Sequence, residues 1–166
     1  MKERDGSYTT RDELFVDAPP ERIYELLVDF NNRHTWWKSN RARLLNGGEA
    51  KEGAQVALCA RHWIFPVRFL MRIKKLQPAR LIRLDVEKGL IRGTCEWQIE
   101  PRGRGAVVRL MWEGVRPEGI VATALFAMSG DRKHSQHVSF GLAGLKAHFF
   151  KSPPPKEAIV GHNLTK

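Results

Sequence analysis

Three things that would place this chain in a compartment or a chemistry are missing from it. No apolar run reaches the roughly 18 residues that a membrane-crossing helix needs. The first residues, Met1-Lys2-Glu3-Arg4-Asp5-Gly6, are charged and lead into no apolar stretch of signal-peptide type, so the expected location is cytoplasmic. Cysteine is scarce: Cys59 and Cys95 form no C-x-x-C pair and read as small apolar strand residues rather than as redox or zinc ligands. Catalytic signatures are also absent. No Gly-x-Ser-x-Gly, His-Glu-x-x-His or phosphate-loop pattern occurs, and nothing calls for a cofactor or a metal.

What is present is an ordinary globular composition with an uneven charge. The 166 residues suit one domain, with 42% hydrophobic and 28% charged side chains. The net charge of +10 is concentrated in residues 31–110, which hold 17 Lys/Arg against 6 Asp/Glu, a net of +11. The rest of the chain holds 11 against 12, a net of −1. A basic patch of this kind attracts nucleic acid, anionic lipid or an acidic ligand, or it is simply a solvated sheet face.

The periodicities divide the chain. Residues 8–17 read as a strand. Asp17-Ala18-Pro19-Pro20-Glu21-Arg22 reads as a helix start, with proline and an acid in the first turn. Ile23, Leu26, Leu27 and Phe30 follow at helical spacing, and a short helical or looped stretch ends in Trp36-Trp37. From about residue 40 to 115 short apolar runs alternate with turn signals, giving six strands near 41–46, 54–61, 66–76, 80–86, 91–100 and 105–115. Val67, Phe69, Met71 and Ile73 share one face of the run at 66–76, and Arg68, Leu70, Arg72 and Lys74 the other. Cys95, Trp97 and Ile99 alternate with Glu96 and Gln98, and Val108, Leu110 and Trp112 with Arg109. After Pro117 the period becomes helical through Ala124, Ala127, Asp131, His134, Val138, Gly141, Leu145 and Phe149, as one helix or two in line across Gly130. Ser152-Pro153-Pro154-Pro155 ends it.

The expected architecture is α+β: a curved seven-stranded antiparallel sheet, two short helices between its first two strands, and a long C-terminal helix. A sheet of that length curls, and one helix covers only a strip of its concave apolar face. The volume left between them is where a small hydrophobic ligand is expected.

The residues that carry a family resemblance are Val16-Asp17-Ala18-Pro19-Pro20-Glu21-Arg22-Ile23-Tyr24-Glu25-Leu26-Leu27-Val28-Asp29-Phe30 with Trp36-Trp37. Thr94-Cys95-Glu96-Trp97-Gln98-Ile99-Glu100-Pro101, the turn Gly103-Arg104-Gly105 and Gly144-Leu145-Lys146 complete the set. In this order they resemble the START-like, polyketide cyclase and lipid-transport superfamily (SRPBCC), whose fold is the helix grip. The resemblance covers roughly residues 8–150. It implies an N-terminal extension at 1–7, a helix-grip domain at 8–150 and a flexible Pro-rich tail at 151–166. It also implies a cavity between sheet and C-terminal helix, with Trp36 and Trp37 near its mouth.

The candidate cavity residues are Trp36, Trp37, Phe69, Met71, Trp97, Leu110, Trp112, His134, His137, Val138 and Gly141. Any one of these aromatics reads sooner as plain core, but five tryptophans in one domain shift the group towards a pocket. His134 and His137 lie three apart on the helix and read as an exposed or capping pair, or as a polar handle for a ligand or a general acid/base, rather than as a metal site. Gly141 and Gly144 cost the helix about 1 kcal/mol each relative to alanine, which points to close packing against the sheet side or to room for a ligand. Arg68, Arg72, Lys74 and Arg83 form the candidate basic surface, without the aromatic interleaving of an RNA-reading sheet. Cyclases of this superfamily use Arg, Tyr and Asp in the cavity, and Tyr8 and Tyr24 are the only tyrosines here. The function expected first is therefore binding or transport of a lipid, isoprenoid or polyketide-like molecule. The alternatives are a cyclase/aromatase enzyme and a ribosome-, RNA- or membrane-associated protein using the basic face.

Overall fold

A computed structural model describes residues 7–45, 47–62 and 65–151. Strand β1 (Tyr8–Val16) is followed by helix α1 (Pro20–Val28), a single 3₁₀ turn (Arg33–Thr35), and strands β2 (Asn40–Leu44) and β3 (Gln55–His62). Strands β4 (Phe65–Gln77), β5 (Leu81–Gly89), β6 (Ile91–Arg102) and β7 (Gly105–Pro117) complete the meander, and helix α2 runs from Ile120 to Lys151. The seven strands form one antiparallel sheet in the order β1-β7-β6-β5-β4-β3-β2, so β1 pairs with the last strand and not with the next. The two expected short helices are thus one nine-residue helix and a three-residue turn.

Register shifts in β1, in β4 at two places and between β6 and β7 mark bulges. Each bulge bends its strand and raises its twist, which curls the sheet around α2. One of them, between Ile73 and Lys75, leaves Lys74 and Lys75 both exposed and returns Leu76 to the core side.

The alternation read from the sequence is the alternation of faces. Met71, Ile73, Ile82, Leu84, Cys95, Trp97, Ile99, Val108, Leu110 and Trp112 are buried on the concave side with Val56, Leu58 and Ala60. Helix α1 starts at Pro20 without a side-chain cap, where a missing N–H costs nothing, and buries Ile23 and Leu27. Asp29 ends it. Its carboxylate accepts hydrogen bonds from the Asn32 backbone N–H (3.3 Å) and side-chain amide (2.8 Å), which tightens the chain into the 3₁₀ turn and turns Arg33 inward. Helix α2 packs over β1 and β7. The side chain of His134 and the segments 1–6 and 152–166, most of the expected extension and tail, lie outside the described residues.

Candidate functional site

Between the sheet and α2 the chain places a cluster of aromatic rings. The ring centroids of Trp36, Trp37 and Trp97 form a triangle with sides of 5.7, 6.1 and 6.2 Å, and Trp97 meets the other two edge-on. The His137 ring lies 5.2 Å from that of Trp37, and Phe69 and Trp112 approach to 6.5 Å on the same concave face. Trp36 and Trp37 are not at a rim. Both are buried, wedged between Trp97 and α2. The two helix glycines make that possible. A Cβ at Gly144 would overlap the Trp36 carbonyl oxygen, and one at Gly141 would overlap the Trp37 indole. Close packing is the reason for both glycines, and the space beside Gly141 is taken by the ring.

Arg33 enters this cluster from the 3₁₀ turn and is only 3% exposed. Its guanidinium carbon lies 5.0 Å from the Phe30 ring centroid, 5.8 Å from Trp36 and 5.9 Å from Trp97. Nη2 donates to the Leu27 carbonyl at 3.3 Å, while Nε has no acceptor. Burial pushes Arg33 down to about 10, which leaves it charged at neutral pH. Cation–π contacts return about 0.5–2 kcal/mol each when desolvated, against a penalty of several kcal/mol for burying an ion. The rings therefore offset only part of the cost. The Nε1–H groups of Trp36, Trp37 and Trp97 are likewise buried without a hydrogen-bond partner. The thiol of Cys95, on the same strand as Trp97, is pushed up to about 12 by burial and so stays neutral.

Open volume lies on the other flank of α2. A groove of about 480 Å³ runs between the inward-facing side of β1 and the helix. Its walls are mostly apolar, with Leu14, Leu142, Ala143, Ala147 and Phe150, and Asp12 and Lys146 set charges along it, while Glu13 at its border turns its carboxylate to Arg109 on the other face. Asp12 pairs in register with Leu110, which pairs with Trp97, so the groove floor lies two strands from the aromatic cluster on the same face. None of the expected cavity residues lines this groove. The signal for it was present in β1, where Leu14 and Val16 share a parity with Asp12 and fix that parity as inward.

The outer face of the sheet is organised differently. Arg72 pairs with Glu87, Lys74 with Asp85 (4.0 Å) and Arg83 with Glu96 (3.6 Å), all across neighbouring strands. Arg109 bridges Glu13 (2.7 Å) and Glu100 (2.6 Å). Hydrogen bonding to Arg109 holds Glu13 below the ordinary carboxylate range, and hydrogen bonding to Arg72 does the same for Glu87. Three of the four expected basic residues are therefore neutralised locally. Arg68 is exposed and aligns through Cys59 with exposed Arg41, with no carboxylate paired to either among the described residues.

Of the expected cavity residues, Trp36, Trp37, Met71, Trp97, Leu110, Trp112 and Val138 are brought into one buried cluster, with Phe69 packed against it. Glu96 and Arg109 point to the outer face, so neither reaches the interior. Among the described residues no three His, Cys, Asp or Glu are grouped to hold a metal ion. No described helix is long and apolar enough to cross a membrane. The residue that pattern reading missed is Arg33, whose inward turn depends on the Asp29–Asn32 contacts.

Residues 9–149 match the model of a family described as polyketide cyclase / dehydrase and lipid transport. No curated protein matches significantly in sequence. Among solved structures, a protein from Thermus thermophilus known as TTHA0849 superposes with a TM-score of 0.73 at 21% identity, over 88% of this chain and 99% of that one. A ginseng major latex-like protein from Panax ginseng gives 0.69 at 10% identity, over 86% and 97%. A START superfamily protein from Mycobacterium smegmatis gives 0.65 at 14%, over 85% and 98%. At these identities the likeness establishes the helix-grip fold.

Proposed function

Since the chain belongs to the polyketide cyclase/dehydrase and lipid-transport family, we propose that it binds or carries a hydrophobic small molecule, of lipid, isoprenoid or polyketide-like kind, between the concave face of the sheet and α2. The observation that carries this reading is the mostly apolar groove of about 480 Å³ between β1 and α2, which falls in the size range of small-ligand pockets and lies on the same concave face as Trp97 and Leu110. Apolar burial at about 25 cal/mol per Å² supplies the driving force.

A cyclase of this family would need ionisable groups converging on one point. Arg33 meets β6, whereas Asp12 lies two strands away on β1, so the described residues offer a binding wall rather than an acid–base pair. Native mass spectrometry of the protein purified from cells, with extraction of anything bound, tests the proposal. A stoichiometric apolar adduct supports it. A bare protein that takes up no added fatty acid, isoprenoid or polycyclic aromatic overturns it.

A second reading rests on Arg41 and Arg68, exposed and aligned across β2, β3 and β4. With the exposed Arg43 and Arg61 they leave that end of the outer face without paired carboxylates among the described residues, suited to an anionic surface. Binding to anionic vesicles that disappears between roughly 50 and 500 mM salt would support it.

A further inference from the structure

Arg33, Trp36, Trp37 and Trp97 bring donors into the interior. A guanidinium and an indole N–H give hydrogen bonds and accept none. Arg33 uses Nη2 on the Leu27 carbonyl and leaves Nε unpartnered, and the Nε1–H groups of Trp36, Trp37 and Trp97 are unpartnered as well. The three indole rings lie within 6.2 Å of one another, and two of them lie within 5.9 Å of the guanidinium carbon. Among the described residues no carboxylate pairs with Arg33. The ionisable neighbour on the sheet is the Cys95 thiol, which is neutral.

Packing alone does not account for this. A methionine or leucine would fill the same space without burying a charge, and replacing buried ions by apolar groups is often neutral or stabilising. The protein also shows how it treats an arginine kept for structure. Arg109, whose side chain is 18% exposed, is given two carboxylates. Arg33 is more deeply buried and is given none. Buried polar groups are nearly always satisfied, so a cluster of unmet donors calls for acceptors from elsewhere.

We infer that Arg33 with the indole N–H groups of Trp36, Trp37 and Trp97 is the head-group site for an apolar ligand that ends in a singly charged oxygen anion, above all a carboxylate. The inference rests on the hydrophobic-ligand reading above and specifies its chemistry. A carboxylate presents two oxygens to the guanidinium fork and accepts further bonds from the indoles. One cation balances one negative charge. A phosphate dianion would bring an uncompensated charge into an apolar interior, at high cost.

The test uses the whole chain and two fluorescent probes differing only at the head, cis-parinaric acid and its methyl ester, titrated by energy transfer from tryptophan. The acid should bind at least tenfold more tightly than the ester. Arg33→Met should remove that difference without lowering the melting temperature, and Arg33→Lys, which keeps the charge but loses the fork, should keep part of it. In competition, dodecanoate should displace the probe better than dodecyl phosphate. Equal binding of acid and ester by the unmodified protein overturns the head-group site even if no variant folds. So does a preference that survives in Arg33→Met, or a phosphate that outcompetes the carboxylate. If neither probe binds, the hydrophobic-ligand reading fails and takes the head-group site with it. If the ester binds as well as the acid, only the head-group site fails.

Discussion

The two faces of the sheet treat arginine in opposite ways. On the outer face Arg72, Arg83 and Arg109 each meet a carboxylate on an adjacent strand, in or near water. On the inner face Arg33 is enclosed by Phe30, Trp36 and Trp97 and, among the described residues, meets no carboxylate. Exposed ion pairs contribute little stability, about 0–1 kcal/mol, so the outer lattice helps to fix strand register and keeps a basic protein solvated. A buried unpaired cation is costly, and a fold that retains one has a use for it. The difference separates charge that serves the sheet from charge that serves a ligand.

The comparison is broken most severely by removing the wall itself. Trp97→Ala should cost about 3–5 kcal/mol, the range for deleting a large buried aromatic. In a domain of this size that lowers the melting temperature by roughly 10–15 °C, read by calorimetry. Gly144→Ala comes next. The new methyl would meet the Trp36 backbone, which cannot swing aside as a side chain can, so α2 must shift. The expected loss is about 3 kcal/mol, with a matching fall in melting temperature.

A smaller effect sharpens the comparison by its sign. Arg109→Met removes a cation that two carboxylates share, and it should lower stability only slightly because Glu13 and Glu100 remain half in water. Arg33→Met should leave stability unchanged or raise it, since it removes a buried charge and strands no carboxylate, only the Leu27 carbonyl that accepts from Nη2. Urea midpoints of the two variants decide the matter. If Arg33→Met is the more damaging of the two, Arg33 serves the fold.

The smallest effect is on acid stability. Glu13 and Glu87 have folded-state pKa values below the ordinary 4.5, through Arg109 and Arg72 respectively. A depressed carboxylate contributes stability that is fully present above the unfolded value and lost as pH falls through the folded one. The urea midpoint should therefore hold from neutral pH to about 5 and decline below 4.5, and Arg109→Met should flatten that decline.

How much of this was legible in the sequence differs by element. The strands and their faces were, because Met71, Trp97, Leu110 and Trp112 sit at strict alternation and the turns between them carry glycine and proline. Gly141 and Gly144, three apart on a helix, announced a close approach without naming what approaches. The ion pairs of the outer face were not legible. Arg72 and Glu87 are fifteen positions apart and meet only through the β4–β5 register, so summing charge along the chain overstated the basic stripe. Arg33 was missed because a lone arginine between Asn32 and His34 reads as loop surface. The groove was missed because Asp12 and Glu13 made β1 look exposed, although every second residue from Thr10 to Val16 faces inward.

The central claim is that ligand binds on the concave face, and the most direct measurement follows the tryptophan side chains themselves. In a ¹H–¹⁵N correlation spectrum, titration with a long-chain fatty acid should shift the indole N–H signals of Trp36, Trp37, Trp97 and Trp112. The backbone amides of Arg72, Arg83 and Arg109 should stay within a small fraction of those changes. Indole signals that do not move while the outer-face amides do would contradict the account and place binding on the basic surface.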